Sequence, residues 1–120
     1  MKLVVDEPES AALESHLAGA PVLATSRIAL VEVERATRLA NPAPAVAAEA
    51  GRLLDSCMLV DVGDALLRRA AELASASVRT LDAIHLASAL LVNPDELVSY
   101  DRRLAAAGAE HGLVATSPGW

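Results

Sequence analysis

Two kinds of segment alternate along the chain. Long stretches carry apolar residues at helical spacing between capping residues, and short unbroken apolar runs lie between them. Pro8 is placed to open a first helix, with Asp6 or Glu7 as its cap; Leu13 and Leu17 then share one face and Gly19 closes it. Pro21–Thr25 reads as a buried strand. Ser26 is positioned to cap a second helix, carrying Ile28, Val31, Arg35 and Leu39 until Asn41-Pro42 stops it. Pro44 opens an alanine-rich helix to about Asp55. The compact run Cys57–Val62 predicts another strand, followed by a helix from Asp64 to Ala76. Thr80 is positioned to cap LDAIHLASALLV, which Asn93-Pro94 ends. Leu97–Tyr100 predicts a strand, Asp101–Ala107 a short helix and Leu113–Ala115 a last strand.

Short apolar strands separated by helices pair in parallel, with helices covering both faces of the sheet. The predicted class is α/β, organised as one domain over residues 1–120, without repeat or linker.

Composition narrows the function. Hydrophobic residues make up 53% of the 120 and charged residues 22%, which excludes intrinsic disorder. Tyr100 and Trp120 are the only aromatics, so the core is aliphatic and recognition by stacking bases is disfavoured. Cys57 stands alone and packs as a small apolar residue; a disulfide scaffold or cysteine-rich zinc site is excluded. No apolar run approaches a membrane span, the longest being Leu86–Val92, and the opening MKLVVDEPES turns acidic too soon for a secretory signal. The expected compartment is a reducing cytoplasm. A formal charge of −6 argues against binding nucleic acid by charge alone, though not against an acidic pocket bridged to phosphate by metal ions.

In open α/β sheets the working crevice lies at the carboxyl ends of the strands. Asp101 directly follows the strand LVSY, Asp82 lies in the first turn of its helix, and Glu32 lies among Leu30, Val31 and Val33. Three converging carboxylates repel one another unless a divalent cation lies between them, and all-oxygen ligation suits Mg2+ or Mn2+. Each acid also has a plainer reading. Asp82 suits the positive end of a helix dipole, Asp101 a helix cap, and Glu32 an ion pair with Arg35. His85, one turn after Asp82, is placed to orient a carboxylate or touch phosphate, but reads more simply as a structural histidine. Arg79, Arg102 and Arg103 flank the acids as candidate phosphate contacts or as solvated charge. Thr80 and Ser99 are candidate hydroxyl contacts.

Taken together, LVVDEPES, TSRIALVEVERA, LRRAAELA, VRTLDAIHLASAL, LVSYDRRLAAAGAEHGL and the closing SPG resemble the PIN-domain family, and within it the VapC-type toxins of bacterial toxin–antitoxin pairs. The resemblance runs from Lys2 to Pro118. It implies a three-layer parallel sheet with a carboxylate pocket for Mg2+ or Mn2+. It also implies endonucleolytic cleavage of RNA by metal-activated water, leaving a 5′-phosphate and a 3′-hydroxyl. On this match Glu32, Asp82 and Asp101 are the catalytic, metal-site acids; Arg79, Arg102, Arg103, Thr80 and Ser99 are weaker substrate contacts. A homodimer and a cognate antitoxin laid over its helices are implied as partners.

One departure stands out. Family members begin with a central strand ending in aspartate, typically Asp-Thr-Ser-Ala-Leu, ahead of the segment matching LVVDEPES. Here Met1-Lys2 already stands past it, and Asp6 matches the loop after it. A start codon assigned too far downstream is one explanation and a truncated remnant the other. For the chain as written, the expectation is low stability and weak activity, both restored by an upstream strand with its Asp. The rival function is therefore a catalytically dead remnant that only binds an antitoxin or other protein. A receiver-like phosphoacceptor domain is disfavoured, since Lys2 is the only lysine.

Overall fold

The computed structural model describes residues 10–19, 22–73 and 78–119. The expected roles of Asp6, Glu7, Pro8 and Pro21, and the helix end at Ala76, lie outside the described residues. By its contacts the chain divides into two units, Met1–Val60 with Pro118–Trp120, and Asp61–Ser117.

The first unit runs α1 (Ser10–Ala18), β1 (Ala24–Ser26), α2 (Ala29–Ala40), α3 (Pro44–Asp55) and β2 (Met58–Val60). The helix bounds follow local chemistry. Asn41 ends α2, and its side chain then accepts from the Ala43 N–H at 3.0 Å, an Asx turn leading to Pro44 at the head of α3. Glu34 and Arg38, one turn apart on α2, pair at 2.8 Å. β1 and β2 pair in parallel with Thr25 opposite Leu59, α2 and α3 supplying the crossover such pairing requires. Leu13, Ala29, Ala50, Leu54 and Val60 are buried, as are Ser26 and Thr37.

The second unit runs α4 (Asp64–Glu72), α5 (Thr80–Val92), β3 (Leu97–Val98), α6 (Arg102–Glu110) and β4 (Ala115–Thr116). α5 is its spine, packing against α4 and α6. Its Leu86 is fully buried and clusters with Leu104 and Ala107 of α6, while Leu73, Val78, Leu90, Leu97 and Leu113 pack around them. The buried Ser88 hydroxyl donates to the Ile84 carbonyl one turn back at 2.8 Å, which satisfies it inside an apolar helix. Asn93 ends α5 in the left-handed conformation, φ 49°. Gly112, φ 86°, turns the chain out of α6 as the Leu113 N–H returns to the Gly108 carbonyl at 2.9 Å. Gly108 itself allows a close approach: a Cβ there would stand 2.6 Å from the Leu97 side chain. β3 and β4 pair in parallel, Leu97 opposite Ala115 and Val98 opposite Thr116.

The class is α/β, as predicted, and the strands among the described residues pair in parallel. Several details differ from the sequence pattern. Among the described residues the strands form two separate two-stranded sheets, β1–β2 and β3–β4, rather than one. Ser26 belongs to β1 and does not cap α2; the cap position is Ile28, whose N–H lies 3.4 Å from the Ser26 hydroxyl. Thr80 is the first residue of α5, not its cap; the cap position falls to Arg79, whose backbone is extended. α6 continues past Ala107 to Glu110.

Candidate functional site

The second unit carries two of the candidate acids on neighbouring elements. Asp101 stands between β3 and α6 and caps the helix. Its Oδ1 accepts from the N–H groups of Arg103 at 2.9 Å and Leu104 at 3.2 Å. The plain reading of Asp101 as a cap is therefore observed, and it leaves Oδ2 outside the cap. The residue is exposed, so that oxygen can meet a ligand. Cap and ligand roles are compatible: the two N–H groups hold the carboxylate in one orientation, and the positive end of α6 favours its charge.

Asp82 is half-buried in the first turn of α5, where the helix dipole also favours a carboxylate. No side chain caps that helix. His85, half-buried one turn on, is already engaged by its surroundings. Arg79, Thr80, Arg102 and Arg103 are all exposed around the starts of α5 and α6. Ser99 is half-buried, and its hydroxyl accepts from the Asp101 N–H at 3.0 Å.

Glu32 lies in the first unit, half-buried in the first turn of α2 and already holding an interaction there. An ion pair on the same helix joins Glu34 and Arg38. A groove of about 340 Å³ between α2 and α3 is lined by Leu30, Pro44, Ala47, Gly51 and Leu54 with that ion pair at its side, and holds none of the candidate acids. Among the described residues, no three His, Cys, Asp or Glu side chains form a group able to hold a metal ion.

Ser117 belongs to the closing SPG, but the sequence assigns it no role. Its hydroxyl donates to the Ser99 carbonyl at 2.5 Å across 18 positions of chain, and only strand register brings the two together. Within that segment, the signal that bears on this bond is the proline after Ser117.

The cap role of Asp101 separates from its charge in two variants. Asp101→Ala removes the cap and lowers stability by about 1 kcal/mol, whereas Asp101→Asn keeps an accepting oxygen and costs a few tenths at most. Urea unfolding of the two variants checks this; equal losses would remove the cap from the account.

Comparison with known proteins shows what the chain as a whole is similar to. The PIN domain family model matches residues 1–110. The chain is 32% identical over 124 residues to Ribonuclease VapC47 of Mycobacterium tuberculosis strain CDC 1551, covering 98% of the chain and 90% of that protein. It is 35% identical over 120 residues to Ribonuclease VapC46 of strain H37Rv, covering 98% of the chain and 91% of that protein.

Proposed function

The chain belongs to the PIN-domain family, and from that premise we propose that it is a Mg2+-dependent endoribonuclease, the toxin of a type II toxin–antitoxin pair. The observation that carries this reading is the near full-length likeness to two proteins named as ribonucleases.

In this reading Glu32, Asp82 and Asp101 hold the divalent cation. Carboxylate oxygens are hard donors, and the Asp101 oxygen outside the cap is one of them, a set suited to Mg2+ or Mn2+. When bound, such a cation offsets charge on the phosphodiester and makes water a competent nucleophile at neutral pH. Asp101 contributes a carboxylate whose direction α6 fixes, and Asp82 one presented from the rigid spine of its unit. Arg79, Arg102 and Arg103 grip phosphate oxygens through charge-assisted hydrogen bonds, which lets an acidic protein hold RNA locally. Thr80 adds an exposed hydroxyl beside Asp82, and Ser99 supports the backbone of Asp101. The products carry a 5′-phosphate and a 3′-hydroxyl.

The protein works in the cytoplasm as a homodimer restrained by a cognate antitoxin. Exposed Val31 and Leu39 on α2 suit such protein contacts, at 61% and 82% of full exposure. Among the described residues, no helix is long and apolar enough to cross a membrane.

A second reading has one observation in its favour. Because no three-ligand group forms among the described residues, a non-catalytic protein that only binds its partner is the rival. Incubating the purified chain with RNA decides between them. The nuclease cleaves with Mg2+, stops when EDTA removes the ion, and resumes when Mn2+ is added. Intact RNA at saturating Mg2+, from protein that still binds its antitoxin, establishes the rival.

A further inference from the structure

All three polar groups of Ser99 are engaged. Its N–H donates to the Thr116 carbonyl at 3.0 Å, its carbonyl accepts from the Ser117 hydroxyl at 2.5 Å, and its hydroxyl accepts from the Asp101 N–H at 3.0 Å. Two of these bonds come from the end of β4, and the third reaches the residue that caps α6. A pattern of this kind has a cause in the ladder itself. In a parallel pair the residue after Ser117 would next give its N–H to the Ser99 carbonyl. That residue is Pro118, which has no N–H to give. The Ser117 side chain supplies the missing donor and carries the pairing one step further than the backbone alone can.

The consequence falls on Asp101. The ladder ends at Ser99 and the helix begins at Arg102, so only Tyr100 and Asp101 lie between two fixed frames. Bonds from Ser117 to Ser99 and from Asp101 to Ser99 pin one end of that link, and the two cap bonds pin the other. We propose that Ser117 is a positioning residue for Asp101: by bonding the Ser99 carbonyl it holds the backbone from which the carboxylate is offered to the divalent cation. This rests on the reading of Asp101 as a metal-site acid and adds to it a side chain from the far end of the unit.

The test is Mn2+ binding by titration calorimetry, with thermal unfolding of each variant alongside. Ser117→Ala weakens Mn2+ binding roughly three- to tenfold, the scale of one lost hydrogen bond. Ser117→Thr, which keeps the hydroxyl, restores it. Ser88→Ala breaks a hydrogen bond of similar length within α5 and leaves Mn2+ binding unchanged. If Ser117→Ala does not fold, Ser117→Cys keeps the volume with a much weaker donor and shows the same loss. Asp101→Asn in the same titration separates the two layers of the inference. Weaker binding in Asp101→Asn with wild-type binding in Ser117→Ala overturns the positioning role alone. Unchanged binding in Asp101→Asn overturns the metal-site reading of Asp101 and the positioning role with it.

Discussion

Asp82→Asn is expected to lose at least about a hundredfold in RNA cleavage at saturating Mg2+, because the amide keeps the size of the side chain and removes the charge that holds the cation. Its effect on folding is small by comparison. Asp82 sits in the first turn of α5, where its charge interacts with the helix dipole for about 1 kcal/mol or less. The residue makes no cap hydrogen bond that the substitution would break. A large loss of cleavage with little loss of stability marks a ligand; a helix-end acid gives the opposite balance. Cleavage within about threefold of the parent would return Asp82 to its plain reading as a dipole partner.

The largest effect on stability is expected at Leu86. It is fully buried where α5 meets Leu104 and Ala107 of α6, in a cluster that has no aromatic side chain. Leu86→Ala therefore opens a cavity that small aliphatic neighbours fill poorly, at a cost of about 2–5 kcal/mol. Against a total stability of about 5–15 kcal/mol, this removes a large share of the margin. The thermal midpoint should fall by on the order of 10 °C, followed by circular dichroism. A fall of about 2 °C or less would mean that the second unit does not depend on this cluster.

The sequence was most legible where local chemistry punctuates it. Pro44 at the head of α3, Asn41 after α2 and Asn93 after α5 all mark true helix ends, since a missing N–H at Pro44, the extended backbone that Pro42 imposes on Asn41 and the left-handed backbone at Asn93 are local causes. Element bounds set by partners were harder to read. The strand expected over Pro21–Thr25 ends one residue later at Ser26, and Cys57–Val62 narrows to Met58–Val60, because the register between the strands decides which residues pair. Gly108 looks like a helix stop but lies inside α6, where Leu97 needs the space.

The same division runs through the site. Asp101 as a helix cap is visible from an acid placed before a helix, and Asp82 from its place in a first turn. Ser117 is not visible, because its partner lies 18 positions away and the two meet only through β3–β4 pairing. The split into two separate two-stranded sheets among the described residues was equally hidden; alternation of strands and helices predicts parallel pairing but not how many strands join one ladder.

The claim beneath the whole account is that Glu32, Asp82 and Asp101 share one divalent cation. Diffraction at the manganese edge from crystals grown with Mn2+ addresses it directly. The account predicts one strong anomalous peak with a carboxylate oxygen of each of the three residues bound to it. Separate peaks, or a peak bound by none of them, would contradict it.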